Sequence, residues 1–401
     1  MLPTWSFLQK SDGRWITLGM VLGFFLLLKI ASVALDQPVF ELPPFAWFGP
    51  MAPYFADLRG IVAGTERLRA GIPPRTADLH DPWNRPFNYP KWWLYTDDLG
   101  LNMSRIMPFG YGMGALFYLS SFFILGKLRP FDGLVAGLFL ISNAVLFGVE
   151  RANFDLVMFI LLALALGVRR VPALASLLIA VAALLKLYPL FAFVAMLAPP
   201  WKKTLPWLGF GLAFFALAEL DDLHDVFMTM GFAPNMRTGT LAFGTTPWGL
   251  YLLERYHRPE LYYDVVAIGS VAFLLAVGVG AWIRPRLDHD TLDAGQVYAF
   301  QLGAGVYLGS FALGTNHDYR AIFLLFCFPL LFHLLHQRRV LPWVWTTLAL
   351  TLLYVNWQYL SDEAGMLSFM LKQALAWALA IGLTGLCVAC LPPALQWPRP
   401  R

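Results

Sequence analysis

The chain has 401 residues, of which 58% are hydrophobic and 13% are charged, and its mean hydropathy is +0.60. That much apolar surface does not fit inside one water-soluble core, so the composition excludes a soluble globular protein and indicates an integral membrane protein. The net charge of +4 comes from basic residues in short loops between apolar runs. Such a distribution does not form a solvated basic stripe, and we therefore expect no nucleic-acid partner.

Apolar segments recur along the whole chain. About twenty apolar residues are needed to cross a bilayer core roughly 30 Å thick, and the sequence offers roughly a dozen such segments. We therefore predict an all-α fold, a polytopic helical bundle of roughly 12 transmembrane helices, some short or broken, in one domain over residues 1–401. The first segment, residues 15–35, follows basic residues as a signal peptide does. Its apolar stretch is longer than the roughly 7 to 15 residues of a signal core, and we expect it to be retained.

Basic residues occupy every second turn between the apolar segments. The turns concerned are 10–14, 127–129, 169–170, 202–203, 284–286 and 338–339. The positive-inside rule places these turns and both termini in the cytoplasm, as in a multi-pass protein of the plasma (inner) membrane. Two large loops, residues 36–105 and 220–262, are then extracytoplasmic.

The first of these loops has the pattern of a folded segment. Apolar residues recur at helical spacing among charged ones, which predicts helices that lie on the membrane surface. The apolar positions are Phe55, Leu58, Ile61, Val62 and Leu68. In the second loop, Asp221, Asp222 and Asp225 could bind a divalent cation, but a solvated acidic turn is the favoured interpretation.

A helix break is predicted inside the apolar segment 172–197. Pro189 cannot continue a helical hydrogen-bond ladder, and Lys186 is costly at the centre of a bilayer. We therefore predict two short helices that meet at Lys186-Leu187-Tyr188-Pro189, in the wall of a cavity or near the outer surface.

Polar residues beside the predicted outer ends of the helices are the candidates for chemistry. Asp57 could act as a general base on an incoming hydroxyl, or it could charge the N-terminus of a surface helix. In the turn 150–155, Arg151, Asn153 and Asp155 could form part of a site. The alternative there is a helix cap at Asn153 with an i,i+4 ion pair between Arg151 and Asp155.

Cations and hydroxyl donors suited to a phosphate lie at two further turns. Lys186 and Tyr188 stand at the helix break, and His317 and Arg320 stand at the outer end of a later segment. Taken singly, the basic side chains could snorkel to the interface, whereas together on one face they favour an anion site. His333 and His336 have no acidic or cysteine neighbours in sequence, so we predict no metal site and no cofactor.

Several short motifs resemble the GT-C class of integral-membrane glycosyltransferases, above all its polyprenol-phosphate-mannose-dependent mannosyltransferase family. The resemblance spans nearly the whole chain. The matching features are Asp57 in the first outer loop, Asn88-Tyr89-Pro90, the turn from Arg151 to Asp155, Lys186-Leu187-Tyr188-Pro189 and Asn316-His317-Asp318-Tyr319. Lys91-Trp92-Trp93 departs from the pattern, which leaves the sugar open between a hexose, mannose-like above all, and a pentose.

The resemblance implies a GT-C-like fold and an enzyme that transfers a sugar from a polyprenyl phosphate donor to a glycan or glycolipid acceptor at the extracytoplasmic face. Asp57 would deprotonate the acceptor and the sugar's configuration would invert, although Asp36, Asp78 and Asp81 share its loop. Other roles follow by the same resemblance. The lipid phosphate would be bound by Lys186, His317 and Arg320, and the sugar or acceptor by Tyr89, Asn153 and Asp155.

Two other functions remain open from the sequence. Intramembrane cations beside a broken helix also occur in transporters, so the protein could move a lipid or a small anion, or flip a lipid. Its polar face could instead bind a partner protein, as in a non-catalytic scaffold for envelope polysaccharide assembly.

Overall fold

The computed structural model describes most of the chain. The described residues are 12–48, 53–75, 81, 86–198, 200–219, 221–222, 241–247, 251, 256–257, 259–283, 287, 292–313, 315–337, 342–360 and 365–392. Most of the predicted second outer loop, including Asp225, lies outside these residues.

Helices dominate the described part of the chain. The α-helices are α1 (Arg14–Leu35), α2 (Ala56–Arg69), α3 (Ile106–Leu125), α4 (Pro130–Leu140), α5 (Asn143–Glu150), α6 (Asp155–Gly167), α7 (Pro172–Leu185), α8 (Trp201–Glu219), α9 (Pro259–Ile283), α10 (Ala294–Ala312), α11 (Phe328–Leu335), α12 (Pro342–Val355), α13 (Trp357–Leu360) and α14 (Met366–Cys390). The 3-10 helices are Val39–Glu41, Phe45–Phe48, Lys91–Leu99, Met103–Arg105, Tyr188–Leu197 and Asp318–Cys327. Strands β1 (Ala242–Gly244) and β2 (Thr315–His317) pair antiparallel, with Ala242 opposite His317.

Several helical segments have the length and composition to cross a membrane. Among the described residues there are five, or six if α4 and α5, which bend by 46° at the break between them, form one span. The five are Arg14–Leu35, Met103–Leu125, Tyr263–Ile283, Asp318–Leu335 and Met366–Cys390. Leu22, Leu27 and Val33 of α1 are more than half exposed, which suits a helix facing hydrocarbon. The fold is therefore helical and compatible with a membrane, as predicted.

Helix α10 organises the part of the bundle that carries the two long 3-10 helices. A Cβ atom at Gly303 would lie 2.3 Å from the carbonyl oxygen of Phe323, and one at Gly305 would lie 2.5 Å from that of Phe191. Only glycine allows backbones to approach this closely. Helix α10 thereby holds the 3-10 helices Tyr188–Leu197 and Asp318–Cys327 against one core.

The helix predicted in the first outer loop is present as α2. Leu58, Ile61 and Val62 are fully buried as expected, yet Leu68 is 45% exposed and the charged Asp57 is 3% exposed. The helical spacing identified the helix correctly. Nine of its residues are buried, Asp57 and Arg67 among them, because other segments of the chain pack against them, and its place on a membrane surface stays a prediction.

The predicted helix break at Lys186 is confirmed. Helix α7 ends at Leu185, Lys186 has an extended backbone with φ −163° and ψ 120°, and a 3-10 helix begins at Tyr188. Pro189 occupies the first turn of that 3-10 helix, where its missing N–H costs nothing. The second segment differs from the prediction only in being 3-10 rather than α-helical. The break leaves the Lys186 side chain free to turn toward neighbouring segments.

Candidate active site

Asp57 is the meeting point of two distant segments. Arg151 donates two parallel hydrogen bonds to its carboxylate, from Nε to Oδ2 at 2.9 Å and from Nη2 to Oδ1 at 2.6 Å. The Asn153 amide adds a third at 2.5 Å to Oδ2. The backbone N–H of Asp57 also donates to the carbonyl of Arg151 at 3.3 Å. A buried bidentate pair of this kind fixes both side chains in one orientation.

Strained backbone accompanies this contact on both sides. Phe55, which precedes α2, has φ +59°, and Ala152, between Arg151 and Asn153, has φ +43°. Residues with side chains adopt this left-handed conformation at a cost, and such residues cluster at functional sites. The two turns therefore hold the Asp57 contact at the expense of local backbone energy.

The turn after α5 decides between the two interpretations of its sequence. Asn153 Oδ1 accepts from the backbone N–H of Asp155 at 2.9 Å, so the predicted cap of α6 exists. The expected i,i+4 pair does not, because Arg151 reaches Asp57 instead of Asp155. Asp155 is fully buried and pairs with cations from other segments. The turn thus supplies more than a cap.

Lys186 links this turn to an aromatic cluster. Its Nζ donates to Asp155 Oδ1 and, at 3.1 Å, to Asn153 Oδ1. The same Nζ lies 5.7 Å from the ring centroids of Tyr89, Tyr188 and Tyr319. Three aromatic faces around one ammonium group stabilise its charge inside the protein. Tyr89 brings the first outer loop into the same group.

Arg320 completes the cationic side of the site. Its Cζ lies 4.5 Å from the ring centroid of Tyr188, and its Nε lies 3.7 Å from Asp155 Oδ2, beyond hydrogen-bond distance. Arg320 Nε therefore has no hydrogen-bond partner among the described residues, although it faces Asp155.

His317 lies next to these charges as a neutral ring. Its ring centroid is 5.2 Å from that of Tyr319 and 6.0 Å from that of Phe147. Burial, reinforced by the nearby positive charge of Arg151, lowers the pKa of His317 to about 3. Its Nδ1 is buried and has no partner among the described residues. A neutral imidazole can exchange a hydrogen bond with a ligand without adding charge.

All nine residues predicted for the site lie in one connected group. They are Asp57, Tyr89, Arg151, Asn153, Asp155, Lys186, Tyr188, His317 and Arg320. The group combines three cations with two paired carboxylates. Aromatic rings surround Lys186, and the nine residues carry one more cation than carboxylate, which favours an anionic ligand.

One polar residue of the turn 150–155 had no predicted role. Glu150, beside Arg151, is 2% exposed, and neither of its carboxylate oxygens has a hydrogen-bond partner within the described chain. Its place at the end of an apolar helix, inside the predicted site turn, was the signal that could have singled it out.

The acidic pair at the end of α8 has a different role from the one expected. Asp222 is 6% exposed and accepts hydrogen bonds from Arg75 Nη2 at 2.5 Å and from the backbone N–H of Lys91 at 2.8 Å. Asp221 is exposed and pairs with Lys91 Nζ. The predicted solvated turn is therefore wrong for Asp222. Asp221 and Asp222 therefore connect Arg75 and Lys91 of the predicted first outer loop to the end of α8.

A second expectation is also corrected. His336 does have an acidic partner, because its Nε2 lies 2.9 Å from both carboxylate oxygens of Asp132 at the start of α4. In the described part of the chain, no group of three or more His, Cys, Asp or Glu side chains is arranged to hold a metal ion.

Comparison of the chain with known proteins finds no matching family model, curated protein or solved structure.

Proposed function

We propose that the protein is a membrane glycosyltransferase that moves a hexose or pentose, with mannose as the first candidate, from a polyprenyl phosphate donor to a glycan or glycolipid acceptor. The proposal includes a GT-C-like bundle of roughly 12 spans, cytoplasmic termini, an extracytoplasmic site and inversion at the anomeric carbon. One observation carries it. Residues of the first outer loop, the α5–α6 turn, the helix break and the segment after β2 form one buried cationic site.

The cations support a phosphate leaving group. In such a transfer, negative charge builds on the donor's phosphate oxygens as the bond to the anomeric carbon breaks. Lys186 is already engaged with Asp155, whereas Arg320 Nε has no hydrogen-bond partner among the described residues. Arg320 would bind the phosphate, with Lys186 and His317 beside it. Preorganised donors of this kind stabilise the transition state without further reorganisation.

An apolar cavity beside the site supports a lipid-linked substrate. Its volume is about 160 Å³, and Phe25, Phe55, Tyr111, Tyr118 and Val149 contribute to its lining. Phe55 lies two residues before Asp57 in the chain, which links the cavity to the start of the helix that carries Asp57. In the proposed function the lipid chain of the donor binds here and its phosphate reaches the cations.

The test is transfer by the purified protein in proteoliposomes. The donors are radiolabelled polyprenyl phosphate mannose, glucose and arabinose, and a membrane lipid extract supplies acceptors. We expect one donor to yield labelled glycolipid and free polyprenyl phosphate. Arg320→Ala should raise the KM for that donor on the order of tenfold to a hundredfold, the effect of losing a charge-assisted hydrogen bond of about 1.5 to 3 kcal/mol. Arg105→Ala, which alters an exposed arginine of the same outer region, is the matched control.

Two results would contradict the proposal and favour its alternatives. Donor that crosses the bilayer without losing its sugar would identify a flippase or transporter. Neither cleavage nor translocation of any of the three donors, with a folded protein, would leave the scaffold as the better explanation.

A further inference from the structure

The two carboxylates beside Arg151 differ in what their oxygens contact. Asp57 accepts three hydrogen bonds, two of them from the Arg151 guanidinium. Glu150 is buried to a similar degree, yet neither oxygen has a hydrogen-bond partner in the described structure. Both oxygens of the Asp57 carboxylate therefore accept hydrogen bonds, whereas neither oxygen of Glu150 has a partner among the described residues.

Glu150 adjoins both the polar group and the apolar cavity. Its backbone carbonyl accepts from the N–H of Phe55 at 3.0 Å, which ties it to the turn before Asp57. Phe55 and Val149, the residue before Glu150, both contribute to the cavity lining. Glu150 is thus tied through its backbone to the turn before Asp57, and it follows a residue of the cavity lining in the chain.

A buried carboxylate without a donor is costly, because it has lost its hydrogen bonds to water and gained none in the protein. Native structures keep such groups when a ligand supplies the partner or when they take part in chemistry. The ligand must offer an O–H or N–H group, and a sugar acceptor offers hydroxyls. Asp57 is less available to an acceptor hydroxyl, since both of its oxygens already accept hydrogen bonds, two of which come from the Arg151 guanidinium.

We propose that Glu150, rather than Asp57, is the base that receives the proton of the acceptor hydroxyl. The inference rests on the proposed glycosyl transfer. As the acceptor oxygen forms its bond to the anomeric carbon, its O–H electron pair stays on that oxygen and the proton moves to a Glu150 oxygen. The bond between the anomeric carbon and the donor phosphate breaks, and its electron pair leaves with polyprenyl phosphate. Asp57 instead holds Arg151 and Asn153 in position.

The first test compares pH profiles of kcat/KM in the purified enzyme with the polyprenyl phosphate sugar that shows turnover. Glu150→Gln should lower kcat on the order of 100- to 10,000-fold, the range of general base catalysis, and the residual rate should lose its decline toward low pH. Asp57→Asn should lower the rate but keep that decline. Glu260→Gln changes an exposed glutamate of α9 and is the control. A Glu150→Gln enzyme with wild-type kcat, or with an unchanged acid limb, would overturn the inference.

A second test does not depend on turnover. Dicyclohexylcarbodiimide adds to protonated carboxyl groups in apolar surroundings, and mass spectrometry of the full-length wild-type protein locates the adduct. We expect modification of Glu150 and none of Asp57, with protection by polyprenyl phosphate mannose. Modification of Asp57 with an intact Glu150 would contradict the inference even where transfer occurs. If no donor turns over, the proposed function fails, and labelling still decides whether the Glu150 carboxylate is available to a ligand.

Discussion

Two buried groups of charges share residues 317–320, at the end of β2 and the start of the next 3-10 helix, and differ in how completely their polar atoms are satisfied. The first is the candidate site, which His317 and Arg320 join. The second contains Asp318, whose Oδ1 accepts from the Tyr354 hydroxyl at 2.9 Å and whose Oδ2 accepts from Lys372 Nζ. Neighbouring residues of one segment therefore face two different charge groups.

The second group has the features of a buried ion pair that stabilises the fold. Lys372 is fully buried in α14, and its partner Asp318 begins the 3-10 helix Asp318–Cys327. Both carboxylate oxygens of Asp318 have donors. In the candidate site, by contrast, Glu150 and the His317 Nδ1 have no partner among the described residues. A satisfied pair contributes to one folded arrangement, whereas a buried group without a partner calls for an explanation, such as a ligand, an ordered water or a part in chemistry.

The largest expected effect comes from breaking the satisfied pair. Lys372→Met leaves Asp318 buried beside no cation and should lower the free energy of unfolding by about 3 to 5 kcal/mol. Adding Asp318→Asn removes the unpaired charge and should restore much of the loss. Equilibrium unfolding in detergent measures the free energy of unfolding of the single and the double variant. Lys29→Met, at an exposed lysine of α1, is the control. If Lys372→Met is as stable as the wild type, the ion pair between Lys372 and Asp318 does not stabilise the fold.

The neutral state of His317 gives a pH dependence. Because its pKa falls from an ordinary 6.5 to about 3 on folding, the unfolded chain binds the proton first as the pH drops. The contribution of His317 to stability is complete above pH 6.5 and decreases toward pH 3. The decrease should reach about 2 kcal/mol at pH 5.

Replacement of His317 tests the predicted loss of stability at low pH. His317→Gln should reduce the loss of stability between pH 7 and pH 5 by that amount, measured as the difference between the two unfolding curves. His257→Gln, at an exposed histidine, should leave the pH dependence of the wild type unchanged. A His317→Gln variant with the same acid sensitivity as the wild type would show that folding does not lower the pKa of His317.

The sequence was informative where physical rules are local. Apolar spacing gave α2, and Pro189 with Lys186 gave the helix break, because propensity and hydrogen bonding decide both within a few residues. The sidedness of the charged turns further suggested that distant polar residues share a face. The structure brings those residues into contact, although their chemical roles stay predictions.

The ion-pair partners of the buried charges could not be predicted from the sequence. Arg151 had a candidate partner four residues away in Asp155, yet it pairs with Asp57 from another segment. Lys372, in the middle of an apolar helix, offered no local hint that Asp318 is its partner. Such pairings depend on which helices become neighbours, and that is decided by packing over the whole bundle rather than by spacing. The same limit applies to Glu150, because its proposed role rests on a carboxylate without a hydrogen-bond partner among the described residues.

The smallest expected effect concerns a third, exposed pair that adjoins a buried one. Asp221 is 73% exposed in its pair with Lys91, whose hydrogen bond lowers the pKa of Asp221. Solvent and salt screen such a pair, so Asp221→Asn should leave the unfolding transition unchanged within error.

Asp222 is the matched comparison, one residue along the chain. Its carboxylate is buried against Arg75 and the backbone of Lys91, so Asp222→Asn should cost about 1 kcal/mol. The two variants, measured in low and high salt, separate burial from charge. A larger effect at Asp221 than at Asp222 would mean that the exposed ion pair, and not the buried contact, fastens the first outer loop to α8. Burial would then not explain the difference in stability between Asp221→Asn and Asp222→Asn, the closest comparison of a solvated and a buried carboxylate in this chain.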